Sequence, residues 1–129
     1  MHLGHHLKLV AAPVVKDDQL VRQLNHSRRA KDFDFRVIDA SDKGYGRLSP
    51  ELIRSVETLY QREGILLDPL YNGKAYSVAQ ALAEAGESVH LLHTGGVQGW
   101  RGFANRGLLA PYPVLTQAVA NMRSTLTEN

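Results

Sequence analysis

Short apolar runs alternate with helix-period segments along nearly the whole chain, and this alternation limits the fold more than any other feature. LKLVAA (7–12) reads as a strand. Residues 18–30 follow with Leu20, Val21 and Leu24 on one helical face, behind Asp17 or Asp18 as a capping carboxylate. FRVID (35–39) is a second strand candidate, and SDKGYGR (41–47) is rich in turn formers. Ser49-Pro50 then pairs a capping hydroxyl with a proline at the first helical position. Behind it Leu52, Ile53, Val56, Leu59 and Tyr60 form one stripe that ends at Gly64. ILLDP (65–69) and SVHLLHT (88–94) read as buried strands. Helices are expected over 73–85, stopping at Gly86, and over 113–125. The pattern predicts an α/β fold, a three-layer parallel sheet with helices on both faces. Ligands in such sheets bind at the carboxyl ends of the strands, where Asp68–Tyr71 and Thr94–Gly96 are both expected to lie.

At 129 residues this is one ordinary domain. The net charge of +2 is small. The one dense basic stretch, Arg28-Arg29-Ala30-Lys31, is followed at once by Asp32 and Asp34, so no nucleic-acid partner is expected. The chain has no cysteine, which excludes disulfides, thiolate metal sites and a thiol nucleophile, and suits a cytoplasmic protein. No apolar run approaches the roughly 20 residues of a membrane span, so no membrane partner is expected. MHLGHHLKLVAAPVV lacks the form of a signal peptide, its short apolar part being broken by Lys8 and Pro13. His2, His5 and His6 cluster near the terminus, where histidines are commonly solvent-exposed. His90 and His93, three apart on a strand, point to opposite faces and cannot share a metal. No metal site is expected.

Three segments have residues suited to chemistry. Thr94-Gly95-Gly96 follows an apolar run, and its glycines would let a flat ligand approach the backbone; a tight turn explains the same residues. In DPLYNGK (68–74), Tyr71 could act as an acid, a base or a stacking surface. Asn72-Gly73 reads as a turn and Lys74 as a solvated helical charge. Tyr45, between Gly44 and Gly46, could reach into a crevice or pack on the following helix.

Taken together, GYGRLSPEL (44–52), EGILLDPLYNGKA (63–75) and LLHTGGVQGWRGF (91–103) resemble the C-terminal part of the pyridoxal-phosphate enzymes grouped as 1-aminocyclopropane-1-carboxylate deaminase and D-cysteine desulfhydrase. The resemblance covers 40–103 well, 7–39 loosely, and leaves 104–129 poorly matched. It implies a partial tryptophan synthase β-like domain of pyridoxal-phosphate fold type II. It implies catalytic roles for Tyr71 and Tyr45, and contact with the cofactor, pyridoxal 5′-phosphate, through Asn72, Thr94, Gly95 and Gly96. Asn72 falls where deaminase members carry glutamate and desulfhydrase members threonine. An uncharged amide cannot hold the pyridine nitrogen protonated as a carboxylate would, which points to the desulfhydrase branch, or to an unassigned one, rather than to the cyclopropane-opening deaminases.

The resemblance further implies that the family's cofactor-bearing lysine, substrate loop and glycine-rich phosphate loop precede the matched region. The expectation is a single C-terminal fragment over 1–129, with weak cofactor binding and no turnover alone. Its partners would be a small amino-acid substrate at family level, and an N-terminal half or a second copy of the chain. A non-catalytic small-ligand module is the competing expectation.

Overall fold

In the computed structural model, which describes residues 8–30 and 35–127, helices dominate and the sheet is small. Strand β1 (Leu9–Ala11) and strand β2 (Phe35–Val37) pair in parallel, Leu9 opposite Phe35 and Ala11 opposite Val37. Helix α1 (Asp18–Ala30) joins them, its first turn held by the Asp17 carboxylate, which accepts from the N–H groups of Gln19 and Leu20. Past β2 the parallel run continues for two more bonds, Ile38 N–H to Ala11 C=O at 2.9 Å and Ala40 N–H to Pro13 C=O at 2.8 Å. His2, His5, His6, Lys31, Asp32 and Asp34 lie outside the described residues.

Helix α2 (Pro50–Glu63) is bounded by a Ser49 hydroxyl that accepts from Leu52 N–H and by Gly64, whose φ of 71° is the left-handed closing conformation that glycine adopts without strain. Helix α3 (Asn72–Glu84) lies against α2, bridged by Ser55 Oγ–H to Gln80 Oε1 at 2.8 Å. Two further helices follow, α4 (Trp100–Asn105) and α5 (Pro113–Thr127). The core lies among them: Leu52, Ile53 and Val56 of α2, Trp100 and Phe103 of α4, Leu115 and Val119 of α5, and Leu67 from the segment between α2 and α3. Trp100 has no exposed surface; its indole N–H donates to Leu67 C=O at 2.7 Å, and its ring meets Phe103 edge-on at 5.5 Å. The α5 terminus is held across the core by Glu57 of α2, whose carboxylate accepts from Leu115 N–H at 2.9 Å. That contact satisfies a helix-end donor and opposes the terminal dipole with a negative charge.

The α/β alternation is as expected, but the three-layer sheet is not: among the described residues the sheet has two strands. Residues 65–69 and 88–94 form no ladder. The reason is visible at the carbonyls of the first segment. Leu66 C=O meets the His93 ring, Leu67 C=O accepts from Trp100, and Asp68 C=O accepts from Gly73 N–H. Groups that a neighbouring strand would use are already engaged by side chains and by a helix start. Helix α4 also went unforeseen, because WRGFAN carries glycine and asparagine and is only six residues long. No described helix is long and apolar enough to cross a membrane.

Replacing Glu57 with alanine removes the cap on α5 and should lower unfolding stability by about 1 kcal/mol, the usual cost of a lost helix cap. Denaturant unfolding of Glu57→Ala against the parent chain measures it.

Candidate functional site

Asp68, wholly buried, organises the site. One carboxylate oxygen accepts from Leu70 N–H at 3.0 Å and Tyr71 N–H at 2.8 Å. The other accepts from Asn72 N–H at 2.8 Å and from the Asn72 side-chain amide at 2.6 Å. Leu70 and Tyr71 N–H belong to the turn leading into α3 and Asn72 N–H to its first residue, so the carboxylate anchors the helix start from two to four residues upstream. Pro69 favours the extended backbone that lets Asp68 turn back onto the chain following it. The turn also fixes Gly73: a Cβ there would lie 2.7 Å from Asp68 C=O and 3.3 Å from Val56 Cγ2.

Asn72 joins this helix start to the glycine turn. Its amide nitrogen lies 3.1 Å from Thr94 Oγ1 and donates to Gly95 C=O at 3.0 Å, and its carbonyl oxygen accepts from Thr94 N–H at 3.3 Å. Only 3% of Asn72 is exposed, and its side chain is occupied by Asp68, Thr94 and Gly95. Gly96 has a φ of 91° and packs over the Asp68 side chain; Gly95 has a φ of 85°. His93 fixes the turn from the other side: its Nδ1 accepts from Gly95 N–H at 3.0 Å, which leaves Nε2–H to donate to Leu66 C=O at 3.0 Å.

The two tyrosines converge. Tyr45 Oη and Tyr71 Oη are 3.3 Å apart, with ring centroids at 6.3 Å, and both residues are about half exposed. The shared hydrogen bond raises the Tyr71 pKa, followed by the charge Tyr45 would carry when ionised, slight desolvation and the Asp68 charge. Tyr71 is therefore held as a neutral phenol to higher pH than usual.

Lys74 corrects the expectation of a solvated charge. It is fully buried, and its ammonium donates to Ser41 C=O and Gly44 C=O. Burial lowers its pKa, while the nearby Asp42 and Asp39 carboxylates act the other way.

Of the residues singled out in the sequence, Tyr71, Asn72, Thr94 and Gly95 form one bonded network, Gly96 packs against its centre, and Tyr45 joins it through Tyr71. Sequence reasoning missed three supports. Asp68 was read only as the end of a strand, although an aspartate before a turn commonly accepts from the backbone two residues on, as it does here from Leu70 N–H. His93 was weighed only as a metal ligand. Lys74 gave no local signal, because its partners lie about thirty residues upstream. No group of three metal-ligating side chains occurs among the described residues.

Asp68→Asn retains the shape but weakens several charge-assisted bonds, and should cost about 1.5–3 kcal/mol. Gly73→Ala should cost about 1–3 kcal/mol through overpacking against fixed backbone. Chemical denaturation measures both. A spectroscopic pH titration of the phenols tests the tyrosine pair. One phenol should ionise later than the others, and Tyr45→Phe should return it to the ordinary range. The sign for stability follows: a raised folded pKa means the tyrosine bond contributes fully below the ordinary phenol range, and its contribution is lost as pH rises through the raised value.

Against known proteins, no family model matches the chain, and no solved structure matches it. Curated relatives do. A protein of Pyrococcus abyssi named "Putative 1-aminocyclopropane-1-carboxylate deaminase" is 39% identical over 67 residues, half of this chain and 20% of that protein. Proteins of the same name from Pyrococcus horikoshii and Pyrococcus furiosus are 41% and 38% identical over 66 residues each, 49% of this chain and 20% of theirs. The match thus spans about a fifth of the curated relatives' length. Across about half of its length, this chain resembles the Pyrococcus proteins named "Putative 1-aminocyclopropane-1-carboxylate deaminase".

Proposed function

We propose that this chain forms one wall of the cofactor site of a pyridoxal-phosphate-dependent enzyme acting on a small amino acid, within a tryptophan synthase β-like domain. The observation that carries this reading is the convergence of three distant stretches, with Tyr45 against Tyr71 and Asn72 bridging to Thr94 and Gly95. The names of the curated relatives support it from outside the structure. In this reading the chain is a single unit of a longer enzyme, or pairs with a separately encoded half or a second copy.

The residues fit one edge of an aromatic, hydrogen-bonding ligand. When bound, pyridoxal phosphate supplies an electron sink for charge developing at the substrate α-carbon. The Thr94 hydroxyl donates to Asn72 Oδ1 at 3.3 Å; turned from this long bond, it would donate outward to an uncharged ring nitrogen. Asn72, buried and neutral, holds Thr94 in place and adds no charge. Gly95, whose missing side chain faces open space, lets a flat ring come close to the backbone, and Gly96 makes room for Asp68 behind it. Tyr71 keeps its proton at Oη to high pH and so suits a proton donor toward the substrate, with Tyr45 orienting it through their shared hydrogen bond.

A neutral partner at the ring nitrogen makes the weaker electron sink. On this ground we assign the site to sulfide elimination from D-cysteine rather than to opening of the cyclopropane substrate.

Titrating the isotopically labelled chain with pyridoxamine phosphate, which lacks the aldehyde that would modify lysines, tests this reading. Weak binding should perturb the amides of Thr94, Gly95 and Gly96 and the rings of Tyr45 and Tyr71. Perturbations confined to the α2–α5 face, or none at millimolar ligand, would contradict it.

A further inference from the structure

Lysine is almost never fully buried unless its charge is paired or its donors are satisfied. Lys74, on the first turn of α3, has no exposed surface and reaches away from solvent to donate to Ser41 C=O at 2.7 Å and Gly44 C=O at 2.5 Å. These two carbonyls lie within the loop that presents Tyr45, and Gly44 is its immediate neighbour. The rest of the loop is arranged around them. Ser41 is itself wholly buried, held by Asp39, whose carboxylate accepts from Ser41 N–H at 3.0 Å and from Ser41 Oγ–H at 3.1 Å. Gly44 N–H donates to Ser41 C=O at 2.8 Å, closing a turn in which Gly44 has a φ of 104° and Asp42 one of 53°. Asp42 in turn accepts from Ser49 N–H at 2.6 Å, fastening the far end of the loop to the start of α2.

Among the described contacts of the Tyr45-bearing loop, the two bonds from Lys74 are the direct link to α3, apart from the tyrosine pair itself. Lys74 stands three positions after Tyr71, the residue that precedes α3, so both side chains leave the same end of the helix. We propose that Lys74 is a positioning residue: its buried ammonium ties the 41–47 loop to the start of α3 and so sets the Tyr45 hydroxyl against that of Tyr71. The weight of this role for chemistry rests on the function proposed above; the positioning itself does not. Deprotonation removes one of the three donors and the charge that attracts both carbonyls, so the loop should loosen when Lys74 loses its proton. The charged groups acting on Lys74 are Asp42 and Asp39, which favour the ammonium, against burial, which lowers its pKa. The Tyr45 bond raises the Tyr71 pKa while burial lowers that of Lys74, so the two move toward each other's range.

The test follows ring and ammonium resonances of the intact labelled chain across alkaline pH. The Tyr45 and Tyr71 ring signals should shift in step with the loss of the Lys74 proton. Lys74 titrating while both rings stay unmoved would overturn the proposal. In parallel, Lys74→Met supplies a chain of similar length that accepts burial. It should keep the helical circular dichroism of the parent but lose the late phenol ionisation, as Tyr45→Phe does. A folded Lys74→Met that retains the late step would also overturn the proposal. Where the methionine variant fails to fold, the ring titration of the parent chain decides. Neither arm involves pyridoxamine phosphate, so loss of ligand binding with the titrations intact would remove the functional reading and leave the positioning role standing.

Discussion

The site depends on one carboxylate. Asp68 sits in the core with no exposed surface and gathers four hydrogen bonds, three from successive backbone N–H groups and one from Asn72. Burying a carboxylate is costly unless its lone pairs are filled, and here the start of α3 fills them. One interaction thereby aims the helix, turns the Asn72 amide inward and presents Tyr71 outward. The glycine turn is then hung on Asn72, and Gly96 closes over the carboxylate itself.

Around this centre each layer uses what the previous one leaves free. Leu67 C=O receives the indole of Trp100, which fixes α4 to the same segment that carries Asp68. Leu66 C=O receives His93, which braces the glycine turn from behind. Gly99 packs against Pro69, where an added Cβ would lie 3.3 Å from the proline ring. The stretch 65–69 is thus a spine held by side chains, and the rigidity of the site comes from the helical core around it. The exposed chemistry is confined to groups that spine positions: two phenols, a threonine and two glycines in left-handed backbone.

Much of this was legible in the chain. The caps and stripes of α1 and α2 were readable because they are local, set by residues within a turn or two such as Ser49, Pro50 and Gly64, and the spans of α3 and α5 were readable with them. Tyr45, Tyr71 and the glycine turn were readable as a group through their resemblance to a known arrangement. What escaped was non-local or ambiguous. An apolar run such as ILLDP looks the same whether neighbouring strands or an indole take its carbonyls. Lys74 looked like surface because a helical lysine carries no mark of partners so far upstream. Asp68 has a local signal, but its importance lies in the long-range bridge that Asn72 makes once the cap has formed.

The most direct measurement of this account is native-state amide hydrogen exchange at Asn72 and Thr94. If the carboxylate-centred network is one cooperative unit, both amides exchange with the same high opening free energy in the parent chain and fall together in Asp68→Asn. A Thr94 amide that exchanges freely while Asn72 stays protected, or that is unchanged by Asp68→Asn, would show that the glycine turn is not held by Asp68 and would contradict the account.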